Sequence, residues 1–173
     1  MTTESTAPAS TAPSAAPSEA PTPNAAATAL AGRAWATAEL TDVATGEPFT
    51  IADYAGKTIF VESMAIWCSN CRAQQGRFKE ALAQLDPDTV AYVVLTVEAA
   101  ETGEDLARYK ESQGFTGTYA VAGTEVARAL ADDFGSNAIN PPSVPLVLVT
   151  PDGEVTFKTG GESVDEIVTL AGG

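Results

Sequence analysis

Residues 58–78 read TIFVESMAIWCSNCRAQQGRF, an apolar, partly β-branched run that leads into a pair of cysteines and then a polar stretch. The first seven residues, after Gly56, have the composition of a buried strand, interrupted by one acid, Glu62. Beyond the cysteines, Phe78, Ala81, Leu82 and Leu85 recur at helical spacing and predict a helix over 69–85. Cys68 and Cys71, the only cysteines of the chain, therefore fall where a strand ends and a helix begins. A sulfur at that joint lies near the unpaired N–H groups of the first helical turn, which favour a thiolate over a thiol. Cys71, one turn further in, is placed to attack a mixed disulfide on Cys68. A purely structural bridge at this spacing closes too small a loop to stabilise much. A redox pair, part of a metal site and two neighbouring core residues are the three readings of this pair.

Composition narrows the choice. The 173-residue chain contains no histidine, which excludes Ser-His-Asp and Cys-His catalysis and any His-ligated metal. A metal on two cysteines alone would need carboxylates or a second chain to complete its shell. There are 23 Asp and Glu against 9 Lys and Arg, a net charge of −14, and a surface that negative repels nucleic acid and anionic lipid. No apolar run reaches the ~18 residues that cross a bilayer, and the N-terminus lacks a basic segment followed by an apolar one.

Outward from the central stretch, residues 1–28 contain 24 Ala, Pro, Thr or Ser. This composition predicts a disordered tail or a linker that tethers the domain, with the folded domain occupying 29–173. "AWATAEL" and "PFTI" flank a turn at Gly46 and predict a hairpin. "TVAYVVLTV" (89–97) is a further strand. A helix over 103–113 opens on the capping pair Thr102 and Asp105, and "TYAVA" follows as a short strand. Thr124 opens another helix with the stripe Val126, Leu130 and Phe134, closed by Gly135. Strands over 145–150 and 154–159 are joined by the "PDG" turn, and a capping box of Ser163 and Glu166 starts the last helix. The element order predicts an α/β fold, a mixed central sheet flanked by helices on both faces.

The segment WCSNC, after TIFVESMAI and before a helix, resembles the W-C-x-x-C site of the thioredoxin superfamily. More narrowly, residues 33–171 resemble the extracytoplasmic thiol-disulfide oxidoreductases of the TlpA and ResA type, related to the alkyl hydroperoxide reductase (AhpC/TSA) group. The N-terminal hairpin and Gly-Lys before the strand match that group, as do the helix-strand insertion at 102–122 and "SVPLVLVTPDGEV". The resemblance implies a thioredoxin-like fold and a protein-disulfide reductase with no cofactor beyond a Cys68–Cys71 redox disulfide. Cys68 is then the attacking thiolate and Cys71 the resolving thiol. Pro145, after Val144, is implied to be a cis-proline contacting substrate; a trans proline opening an edge strand is the alternative. Glu62 stands where thioredoxin has a buried acid, implying a raised pKa and a role in moving the proton of Cys71; a carboxylate reaching solvent past a strand edge is the alternative. Trp67 is implied to wall the site, or else is a packed aromatic.

Ser69 and Asn70, the intervening pair, tune the potential, and they match neither the common reductase nor the oxidase pattern. Gln74 stands where some relatives have an active-site glutamate, Gly76 where thioredoxin has a kinking proline, and Leu146 where a threonine is usual. The implied partners are protein thiols and disulfides and an upstream electron donor, for a monomer located extracytoplasmically. Two other functions fit such a fold. One is a peroxidase of the peroxiredoxin type, disfavoured because Ala65 occupies the position of the threonine that this chemistry uses. The other is a binding module without catalysis.

Overall fold

The computed structural model describes Met1 and residues 24–172. Most of the expected 1–28 tail lies outside the described residues. Its last residues do not belong to a tail: Ala25–Ala31 form helix α1, capped by the Asn24 side chain accepting from the Ala27 N–H. Alanine has the highest helix propensity, and two buried residues, Ala26 and Leu30, anchor the helix on the core. The approach is close enough that a Cβ on Gly153 would sit 2.8 Å from the Ala25 carbonyl oxygen. Gly153, at φ 91°, thus serves both the turn at 150–153 and the docking of α1.

The AWATAEL segment, expected as a strand, is also largely helical. Helix α2 spans Ala34–Thr37, and only Leu40–Thr41 forms strand β1, paired antiparallel with β2 (Pro48–Phe49) across the Gly46 turn. Trp35 decides the conformation of this segment. It is fully buried, its Nε1–H donates to Asp133 at 2.8 Å, and its ring packs against Phe134 at 5.8 Å.

Five strands make the central sheet: β3 (Thr58–Met64), β4 (Val90–Thr96), β5 (Thr118–Val121), β6 (Leu146–Val149) and β7 (Val155–Lys158). Their spatial order is β5-β4-β3-β6-β7, with β4 parallel to β3, β5 parallel to β4, and β6 and β7 antiparallel to their neighbours. Every residue of β3 and β4 is buried, as a sheet covered on both faces requires. Ile59 and Val61 face one layer, with α1, α2 and α5 (Gly123–Phe134). Phe60 and Met64 face the other, with α3 (Ser69–Leu82), α4 (Gly103–Gln113) and α6 (Val164–Leu170). The capping boxes at Thr102/Asp105 and Ser163/Glu166 start α4 and α6 as the sequence predicts.

The α3 layer is fastened by aromatic contact. Phe78 stacks on Tyr92 with centroids 4.0 Å apart and meets Phe60 edge-on at 5.2 Å. Phe78→Ala is expected to cost about 3–5 kcal/mol in urea unfolding. Leu30→Ala is expected to cost about 2–5 kcal/mol in the same measurement.

Candidate functional site

Strand β3 stops at Met64, and residues 65–67 carry the chain to α3. Two acids of the β4–α4 connection hold this short link: the Ile66 N–H donates to Glu101 at 2.8 Å, and Trp67 Nε1–H donates to Glu98 at 3.2 Å. Trp67 is left 59% exposed, the one large apolar side chain among the described residues 24–172 that faces solvent. It lies immediately before Cys68.

Cys68 is the N-cap of α3. Its extended backbone (φ −77°, ψ 106°) places Sγ 3.2 Å from the Cys71 N–H, which donates to it. A cysteine here takes the place of the usual Ser, Thr or Asp cap, so a first-turn N–H points at the sulfur. Cys68 and Cys71 are joined as a disulfide, with Cα atoms 5.3 Å apart. Cys68 retains 3% exposure and Cys71 none. Ser69 and Asn70 are exposed, and Asn70 Nδ2 donates to the Pro142 carbonyl at 3.3 Å. The Pro141 carbonyl oxygen lies 3.2 Å from Cys71 Sγ.

The 141–145 segment forms the other wall. The Val144–Pro145 bond is trans, and there is no cis peptide bond among the described residues, so the expected cis-proline is corrected. The chain is turned instead by Val144, which takes φ 50°, ψ 63° and closes a 3₁₀ turn by donating its N–H to the Pro141 carbonyl at 2.8 Å. A β-branched residue in that region is strained. From there Pro145, buried, enters the sheet and accepts the Ser63 N–H at 3.3 Å.

Glu62 is fully buried and does not reach solvent past an edge. β3 is a central strand, and the alternation of its side chains aims Glu62 at the α3 layer. There it accepts from Tyr92 Oη at 2.5 Å and from Gln75 Nε2 at 3.3 Å. Gln75 Oε1 in turn accepts from Tyr109 at 3.0 Å and Tyr119 at 3.2 Å, which closes a buried network of one acid, one amide and three phenols. Burial pushes the Glu62 carboxyl up to about 8, against the lowering effects of its hydrogen bonds and of Arg77. The same burial, with Glu62 nearby, raises Tyr92. Gln75 follows Cys71 by four residues and shares its face of α3, so the acid lies beneath the turn that carries the cysteine. Gln75 and the tyrosines were not identifiable as site residues from the sequence; the i, i+4 spacing of Gln75 from Cys71 was the one available signal. Gln74, the position of the absent glutamate, is buried one residue earlier and bonds Arg77 and the Glu162 N–H.

No protein-family model matches the chain, and no curated protein does. Solved structures do. A thiol:disulfide interchange protein of the thioredoxin family from Chlorobium tepidum is 20% identical, with a TM-score of 0.67 over 78% of this chain and 90% of that one. A secreted disulfide oxidoreductase of Mycobacterium tuberculosis, homologous to DsbE of E. coli, is 18% identical, with a TM-score of 0.62 over 80% and 96%. The bacterioferritin comigratory protein of Xanthomonas campestris, described for alkyl peroxide reduction, is 13% identical, with a TM-score of 0.58 over 80% and 92%. The likeness establishes a thioredoxin-like fold, shared by disulfide exchange proteins and peroxide reductases.

The buried acid makes stability depend on pH. Unfolded, Glu62 loses its proton near 4.5; folded, it keeps it to about pH 8. Between these values the folded chain binds the extra proton, so this contribution is complete below pH 4.5 and is lost as the pH rises toward 8. The slope is about 1.4 kcal/mol per pH unit. Urea unfolding at pH 5, 6, 7 and 8 is expected to show this decline in the wild type and a flatter profile in Glu62→Gln.

Proposed function

We propose that the protein is a thiol-disulfide oxidoreductase that reduces disulfides of other polypeptides through the Cys68–Cys71 pair. The single observation that carries this reading is Cys68 as the cap of α3, its sulfur accepting a backbone N–H directly after the exposed Trp67. In the reduced protein the Cys68 thiolate attacks one sulfur of a substrate disulfide. A mixed disulfide forms and the other substrate sulfur leaves as a thiolate, which takes a proton. Cys71 then gives up its proton and attacks Cys68, the Cys68–Cys71 disulfide forms, and the second substrate thiol is released. Two electrons pass to the substrate with one proton from Cys71 and one from solvent, and an upstream dithiol protein returns the electrons. No cofactor takes part.

Glu62 in its ionised form, which becomes populated as the pH approaches 8, is the candidate acceptor for the proton of Cys71. Its raised affinity for a proton and its hydrogen bond to Gln75, one turn below Cys71, support this role. Trp67 and Val144 are the flanking surfaces on which a substrate chain lies, and Ser69 and Asn70 adjust the potential. A buried alanine at position 65 offers no hydroxyl beside Cys68, which favours disulfide exchange over peroxide reduction.

The proposed setting is outside the cytoplasm, with the 1–23 segment as a tether and the chain acting as a monomer. Among the described residues no helix is long and apolar enough to cross a membrane. The similar M. tuberculosis protein is described as secreted.

Dithiol-driven insulin reduction tests the reading. Cys68→Ser is expected to abolish it, and Cys71→Ser is expected to accumulate mixed disulfides with the insulin chains, visible on non-reducing gels. Undiminished reduction by Cys68→Ser would overturn the assignment.

A further inference from the structure

Beside the disulfide lies a cleft of about 460 Å³, bounded by α3 on one side and by the 142–144 and 159–160 segments on the other. Asn70 and Val144 line it, so it is continuous with the rim of the Cys68–Cys71 site. Of its eight lining residues only one is charged, and that one is the cation Arg77. In a chain of net charge −14, a cleft with no acid and one arginine is a local reversal of the surface field.

The guanidinium is held in place. Nε donates to the Glu162 carbonyl at 2.7 Å and to Gln74 Oε1 at 3.2 Å, and Nη2 donates to the same Gln74 oxygen at 2.5 Å. Gly161 lets the backbone pass so near that a Cβ there would lie 2.8 Å from Nη2. These contacts occupy Nε and Nη2 and leave Nη1 without a hydrogen bond among the described residues. Arg77 forms no ion pair among them either. Glu162, whose backbone carbonyl Arg77 meets, turns its own carboxylate to Lys158 at 3.1 Å. Gln74 Nε2, next to this arrangement, is buried without a partner. An arginine fixed on two of its nitrogens, with the third uncommitted, is preorganised for an anionic oxygen.

We infer that this cleft is a specificity subsite that takes the side-chain carboxylate of an Asp or Glu close to the reacting cysteine of a polypeptide substrate. This rests on the disulfide-reductase reading and names the substrate feature it selects. The subsite adds no chemistry. It holds the chain so that the substrate sulfur meets Cys68, and Arg77 is a positioning residue.

The test uses C-terminally amidated peptide homodisulfides of identical composition, with one Glu either two residues from the cysteine or at the distal end. A third peptide carries Lys at the near position. Second-order rates with the reduced protein are read from the thiol released. The near-Glu peptide is expected to react about fivefold faster than its distal isomer, the effect of a partly exposed charge pair. Arg77→Gln is expected to bring that ratio to about one, and Arg77→Glu to favour the near-Lys peptide. A purely structural Arg77 would change all rates together and leave the ratio as it was. Equal wild-type rates for the isomers, or a preference that survives Arg77→Gln, would overturn the subsite alone. Failure to reduce any peptide would overturn both the subsite and the reductase assignment.

Discussion

Strand β3 is buried on both faces along all seven of its residues, and the site depends on where that strand stops. A strand in this position must end inside the protein, between two helical layers. The chain leaving it has three residues to reach the first turn of α3. Ile66 and Trp67 are held by Glu101 and Glu98, which fixes the turn without any regular structure. The first turn of α3 then opens at Cys68, and its N–H groups have no carbonyl partners of their own. The sulfur of Cys68 meets that need, so the atom proposed to attack the substrate is also a structural cap.

The same strand brings an acid into the α3 layer. A lone buried carboxylate would be costly, and the protein offsets that cost by keeping the group neutral and surrounding it with a closed set of donors and acceptors. Gln75 links the acid to Tyr109 and Tyr119, so β3, β4, β5, α3 and α4 share one polar network beneath the disulfide. Shifting any of these elements would break a buried hydrogen bond. The position of the site relative to its acid is thereby set by the core.

What the sequence showed directly were features decided within a few residues. β3 and β4 appear as continuous apolar runs, the capping boxes as Thr102/Asp105 and Ser163/Glu166, and the cysteine joint as a strand followed by a helical stripe. Features decided by distant contacts stayed hidden. Helix α1 has the composition of a linker, and it is ordered by burial of Leu30 and by the approach of Ala25 to Gly153. Trp35 gives AWATAEL an alternating look, yet its partner Asp133 lies almost a hundred residues away and holds a helix. The turn at Val144 could not be foreseen either: the resemblance implied a cis bond before Pro145, but the reversal is made in the backbone of Val144. Arg77 carries no local signal of its own, since one of the groups that pin it, the Glu162 carbonyl, comes from a distant segment.

The central claim is that Cys68 and Cys71 form a reversible two-electron couple and not a fixed bridge. Equilibration of the protein across a series of glutathione redox buffers, with free thiols counted by mass tagging, tests it most directly. The account predicts one transition between zero and two free thiols, with about 30 mV for each tenfold change in the reduced-to-oxidised ratio. A protein that stays fully oxidised across the whole series, or that loses its fold when the bridge opens, would contradict it.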